Sequence, residues 1–345
     1  MDAWVGPHSG VFSFAVFVLL AAILICSRES IAHSLTVTLS DAGQQKGTSV
    51  ERGVLNISDN VDLVLLDVLV RRPHGGYVTG LTKGNFKIFE DGSPREITQF
   101  ANIDTPVTVG LVVDNSGSMR SKRPEVVLAG LAFAKQSNPQ DQFFVVNFNN
   151  YVTRGLPFNI AFTDNIQLLR HALDYGEPVG QTALYDAVAY ALKHLELSHF
   201  EKRTLIVVSD GGDNVSVTRF PELMTLIEAS RATIYTIGLL DPNDRDLNPS
   251  VLKKMAAISG GEFFEPEEQS QIVPVFDRIS KEIRNRYTIG YIPNEATDKR
   301  VSRTVKVRAE DKGVKLAVRT RTSYSIAPLA DRISALETAT QGGKN

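Results

Sequence analysis

The sequence predicts an α/β domain, doubly wound around a mainly parallel sheet, flanked by an all-β, sandwich-like module built from its N- and C-terminal segments. Three observations predict it. Short apolar runs at 107–113, 143–148, 204–209 and 233–239 are rich in β-branched residues and alternate with amphipathic stretches. The segment 61–100 shows strand-like runs and no helical period. After a last amphipathic stretch near 270–286, the pattern returns to β.

The elements follow in order. Residues 11–26 are a nearly uninterrupted apolar run, short for a membrane span of about 20 residues. Ser30-Ile31-Ala32 resembles a small-x-small cleavage site, so 1–32 reads as a secretory signal cut after Ala32. No Lys or Arg precedes the run and Asp2 stands there instead, which keeps an uncleaved anchor as the alternative. A stretch 33–60 is polar linker. Residues 61–103 form the first half of the β module: 61–70 is an apolar strand interrupted by Asp62 and Asp67. Asp91-Gly92 between strand-like runs is a hairpin signal. The α/β domain occupies 104–286. Leu184, Val188, Leu192 and Leu195 recur at helical spacing, as do Leu223, Leu226 and Ile227 behind Pro221, and Val273, Phe276, Ile279 and Ile283. The second half of the β module spans 287–325, with Asp311-Lys312-Gly313 as a turn, and 326–345 is a tail. Neither β half is large enough to hold a core alone. The two should therefore join, with Leu66 or Val68 near Val305, Val307 or Val318.

Composition narrows the function. A net charge of −2 gives no global field for nucleic acid. The only cysteine, Cys26, lies in the apolar run, which excludes intrachain disulfides, Cys/His zinc clusters and cysteine proteases. His8, His33, His74, His171, His194 and His199 have no ligand-pair spacing; His194 and His199 read as a helix surface and its following loop. Arg300, Arg303, Lys306, Arg308, Lys315, Arg319 and Arg321 alternate with apolar residues and read as a solvated strand face.

The chemistry lies in one string. Val109-Gly110-Leu111-Val112-Val113 runs straight into Asp114-Asn115-Ser116-Gly117-Ser118. This presents a carboxylate and two hydroxyls at the end of a strand, oxygen donors suited to a hard cation. Two further loops follow: Gly180-Gln181-Thr182, and Ser209-Asp210-Gly211 after another apolar strand. In open α/β sheets ligands bind beyond the carboxyl ends of the strands, where Asp114 and Asp210 both fall.

These residues resemble the metal-ion-dependent adhesion site of von Willebrand factor A domains, a Rossmann-like fold whose opening motif reads D-x-S-x-S. Asp114, Ser116, Ser118, Thr182 and Asp210 match the family's five positions. The flanks, from Val78-Thr79-Gly80-Leu81 to Glu90-Asp91-Gly92 and Arg286-Tyr287-Thr288-Ile289-Gly290-Tyr291, resemble the related proteins first noted in Acidobacteria. The resemblance covers roughly 61–324. It implies Mg²⁺, with Mn²⁺ able to substitute, held largely by hydroxyls so that the ion stays electrophilic. A Glu or Asp carboxylate from a protein or matrix partner would complete its shell. It implies binding rather than catalysis, by an exported bacterial protein: periplasmic, cell-surface or secreted, with membrane attachment confined to 11–26 and no nucleic-acid partner. The alternative is a structural or assembly factor of an envelope complex with a merely stabilising metal; a metal-dependent hydrolase ranks third. Ser116 stands where an aspartyl-phosphate phosphatase needs a second Asp, and neither G-x-S-x-G nor a Gly-Lys-Ser/Thr phosphate loop is present.

Overall fold

The computed structural model describes residues 63–240, 248–294 and 302–327, with Ala330, Asp331, Ile333 and Ser334. The signal or anchor, the polar linker, Arg300 and most of the tail lie outside the described residues. Among those described, no helix is long and apolar enough to cross a membrane.

The first β segment contributes β1 (Val64–Arg71), β2 (Phe86–Glu90), β3 (Ser93–Arg95) and β4 (Ile97–Ala101). Asp91 and Gly92 both have positive φ, 47° and 82°, as a two-residue hairpin demands, and β2 pairs back on β3. The α/β domain follows. Its strands are β5 (Val107–Asp114), β6 (Gln142–Phe148), β7 (Val152–Arg154), β8 (Lys202–Ser209), β9 (Thr233–Gly238) and β10 (Phe263–Phe264). Its helices are α1 (Arg123–Gln136), α2 (Ile166–Asp174), α3 (Leu184–Leu195), α4 (Phe220–Ala229), α5 (Pro249–Ser259) and α6 (Ile272–Arg284). The second β segment adds β11 (Arg286–Tyr291), β12 (Ser302–Asp311), β13 (Val314–Arg319) and β14 (Ser323–Ser325).

The α/β sheet runs β10-β9-β8-β5-β6-β7, parallel throughout except at β7. Every residue of β5 is buried, as a strand covered by helices on both faces should be. The chain starts in the middle at β5, moves to β6, then returns to the other side of β5 with β8. That reversal places a crevice at the carboxyl ends of β5 and β8. Helix α1 packs between α2 and α6, while α3, α4 and α5 pack in series.

The two β segments share one eight-stranded sheet, ordered β3-β2-β12-β13-β1-β11-β4 with β14 on β12, and every pairing is antiparallel. The sandwich-like arrangement is thus one continuous sheet turned over on itself. Phe86 on β2 and Phe100 on β4, near opposite ends of the strand order, meet at 5.6 Å between ring centroids. Leu66, Val68, Val305 and Val307 lie in a single core with Tyr287, Ile289 and Tyr291, and Val318 packs against it.

Two readings of the sequence are corrected. His194 is not on a helix surface. It is buried between Phe144 and Phe162, with Nε2 2.8 Å from the Ala161 carbonyl. The basic strands are only partly solvated. Lys306, Arg308 and Lys315 face water, but Arg303, Arg319 and Arg321 point inward. Arg303 and Arg95 meet the buried carboxylate of Glu90 at 3.0 and 2.9 Å, beside the hydroxyls of Tyr291 and Tyr324. Arg319 bridges Glu262 and Glu282 of the α/β domain. Arg321 donates to the carbonyls of Ser230, Glu228 and Ile227 beyond and within α4. Alternation along a strand shows that two faces differ; it does not show that the second face meets water.

Candidate metal centre

Strand β5 delivers Asp114, fully buried, at the crevice. Its Oδ1 accepts the Ser116 N–H at 2.8 Å, an Asx turn that bends the chain off the strand. Its Oδ2 accepts the Ser209 hydroxyl at 2.7 Å from the end of β8. Ser116 Oγ lies 3.1 Å from Ser118 Oγ, and Ser118 Oγ donates to Asp210 Oδ2 at 2.6 Å. A continuous chain of polar contacts therefore joins Asp114, Ser116, Ser118 and Asp210. Ser116 and Asp210 are buried, whereas Ser118 is exposed, so the group opens to solvent on that side.

Thr182 reaches the same end of the sheet by backbone pairing. Gly117 N donates to the Gly180 carbonyl at 3.2 Å, tying the serine loop to the threonine loop. Thr182 N donates to Asn214 Oδ1 at 2.9 Å, and Asn214 N returns to the Thr182 carbonyl at 3.1 Å. Gln181 N donates to Asn150 Oδ1 at 2.9 Å. Gly180 has φ +86°, and a Cβ there would sit 1.9 Å from Asn150 Oδ1, so only glycine lets the loop pass.

The electrostatics are one-sided. Burial pushes the Asp114 carboxyl up to about 6, and the negative charge of Asp210 adds to the rise; hydrogen bonds from Ser116 and Ser209 offset part of it. Among the described residues no salt bridge reaches Asp114 or Asp210. Nor does any group of three or more His, Cys, Asp and Glu side chains stand ready for a metal. A cation here would be met by two carboxylates and the hydroxyls of Ser116 and Ser118, with Thr182 on the adjoining loop as the candidate for a third. That donor set fits Mg²⁺, which takes few carboxylates and keeps several waters.

Several supporting residues carry no motif of their own. Arg123 is buried beneath the first loop and donates to Asn115 Oδ1, Asn147 Oδ1 and the Leu173 carbonyl. Burial draws its guanidinium down to about 10, with Asp174 and Asp114 opposing. One clue was available: a cation at the first position of α1, where the helix dipole favours anions. Ser209 was legible only as the residue before Asp210. Asp213 and Asp186 fix the loop beyond it, accepting the N–H groups of Tyr185, Val217 and Thr218.

Residues 109–212 match the sequence model of the von Willebrand factor type A domain. They form a von Willebrand factor type A domain. The matched span begins in β5 and ends just past Asp210, so it contains all five candidate residues. No curated protein is significantly similar to the chain in sequence. Solved structures similar to it include the von Willebrand factor type A protein from Catenulispora acidiphila, at 12% identity and TM-score 0.48, covering 76% of this chain and 73% of that one. The von Willebrand factor domain of the type V pili tip protein Mfa5 from Porphyromonas gingivalis is 16% identical, with TM-score 0.42 over 52% and 96% of the two chains. The PilB minor pilin from Streptococcus sanguinis is 11% identical, with TM-score 0.43 over 54% and 63%. None of these likenesses carries a functional assignment.

Proposed function

We propose that the A domain is a divalent-cation-dependent protein-recognition module of an exported protein. Asp114, Ser116, Ser118, Thr182 and Asp210 would hold Mg²⁺, with Mn²⁺ able to substitute. Bound there, the cation supplies a Lewis-acidic position for an Asp or Glu carboxylate of a protein or matrix partner. One observation carries this reading: two mutually repelling buried carboxylates converge with hydroxyls, and among the described residues neither has a salt bridge, the nearby Arg123 donating instead to Asn115, Asn147 and the Leu173 carbonyl. A structural pair of that kind would be expected to carry an arginine or lysine. The exported location rests on the apolar run at 11–26 and the Ser30-Ile31-Ala32 site. The β module, closed by strands from both sides of the A domain, suits a rigid support that holds the cation face away from its attachment.

Isothermal calorimetry with MgCl₂ and MnCl₂ tests the reading on the full chain. Saturable binding is expected for the wild type, lost in Asp114→Ala and weakened in Thr182→Ala. Absence of binding to the wild type would overturn it. Binding that raises Tm yet leaves affinity for carboxylate-bearing peptides unchanged would favour a merely stabilising metal in an assembly factor.

A further inference from the structure

The loops that carry the site expose apolar surface on one flank. Tyr151 is 78% exposed, Tyr175 55% and Val179 43%. Their loops are tied to the sequence neighbours of the candidate metal residues, and Asn115 Nδ2 donates to the Tyr175 carbonyl at 3.1 Å. Val179 N donates to the Asn115 carbonyl at 2.9 Å, and Ala183 N to the Asn149 carbonyl at 2.8 Å. Asn150, beside Tyr151, accepts from Gln181, beside Thr182. Tyr151 and Tyr175 line a shared cavity of about 40 Å³ with Asn115, Asn147 and Asn149. That space holds a water or two and no side chain, so a ligand must lie across the rings rather than enter between them. Exposed Phe158 has Arg154 over its ring, but among the described residues neither tyrosine has an aromatic or cationic partner. Tyrosines offer large amphipathic contact area at low entropic cost, which is why they anchor interfaces.

Charge decides what chemistry fits. Arg120 is exposed on this rim, with Nε and Nη2 3.4 and 3.3 Å from the Pro178 carbonyl. Together with a bound cation it favours one carboxylate at the site. Asp174 and Glu177 are exposed on the tyrosine-bearing loop and would repel a second. We infer that Tyr151, Tyr175 and Val179 form a second contact surface for an extended segment of a partner protein, one that carries a single carboxylate beside an aromatic or large aliphatic side chain. The inference rests on the cation-dependent reading above.

The test uses the full chain and short synthetic peptides with one Glu in a Ser/Gly background. Its neighbour is Trp, Leu, Ser or Asp, and binding is followed by NMR titration in Mg²⁺ and in chelator. The Trp and Leu peptides should bind roughly tenfold more tightly than the Ser and Asp peptides, and only with Mg²⁺. The double variant Tyr151→Ser, Tyr175→Ser should lose that preference while keeping its calorimetric Mg²⁺ affinity. Equal binding of the Trp and Ser peptides, or a preference that survives in the double variant, overturns the inference and leaves the cation reading standing. A wild type that binds no Mg²⁺ overturns both. Mg²⁺-dependent self-association in sedimentation, lost in the double variant, would assign the surface to a second copy of the chain and overturn the partner segment.

Discussion

The A domain carries a pair of carboxylates at each end of its sheet, and among the described residues only one pair has arginine salt bridges. At the amino end Glu262 and Glu282 are answered by Arg319 from the β module and by Arg278, whose Nε lies 3.5 Å from Glu282. Burial pushes Glu262 up, but the charges of Arg319 and Arg278 outweigh it and hold the carboxyl below its ordinary value. At the carboxyl end Asp114 and Asp210 meet only hydroxyls and backbone N–H groups among the described residues, and Asp114 is driven up to about 6. The first pair holds two modules together. The second is a charge defect that the folded protein retains, and it is where the proposed cation would bind.

Removing the arginine should give the largest effect. Arg319→Met leaves half-exposed Arg278 as the remaining salt-bridge partner of Glu262 and Glu282 among the described residues, and should cost about 3–5 kcal/mol in urea unfolding. A loss under about 1 kcal/mol would mean the junction charges are solvated and the contrast is false. Gly180→Ala should cost about 1–3 kcal/mol, since it opposes both the positive φ and Asn150. It should also weaken Mg²⁺ binding in calorimetry, because Thr182 follows in the same loop.

Asp114→Asn should go the other way. In chelator it removes the repulsion with Asp210 and should raise stability by about 1–2 kcal/mol while abolishing the Mg²⁺-induced rise in Tm. The pH dependence sharpens this. Asp114 has its carboxyl raised in the folded chain, so the folded state binds more protons than the unfolded state between its ordinary value of 3.8 and about 6. Its contribution is present below that window and is lost as pH rises through about 6. In chelator, the advantage of Asp114→Asn over the wild type should therefore grow from pH 4 to pH 7. Parallel stability curves would refute the assignment. The smallest effect belongs to the solvated side of the basic strand. Lys306→Ser should change stability by less than about 0.5 kcal/mol, against a clear loss for Arg321→Ala, whose guanidinium is buried on the carbonyls of α4.

The strands that bear the site were legible because each contains a short apolar run that stops just before a carboxylate, 109–113 before Asp114 in β5 and 205–208 shortly before Asp210 in β8. Helix α3 was legible from Leu184, Val188, Leu192 and Leu195, because one face is buried and the other is not. Helix α1 was not. It is covered by α2 and α6 and carries Arg123 inward, so its apolar residues ring the axis and no single periodic face emerges. The hairpin signal at Asp91-Gly92 predicts one return strand, from Arg95 to Phe100. It divides instead, with β3 pairing β2 and β4 crossing to β11 at the other end of the sheet.

By itself the sequence determined the alternation of strand and helix, the glycine turns and the string of oxygen donors at three loop positions, because periodicity, positive φ and side-chain chemistry are local properties. Only the tertiary structure decided that Glu90, Glu262 and Glu282 have arginine salt bridges while, among the described residues, Asp114 and Asp210 have none. It also decided that His194 is buried, and that Tyr151 and Tyr175 stand on the same flank as Thr182. These are pairings between residues tens or hundreds of positions apart, and the burial that sets their energies exists only once the sheet has closed.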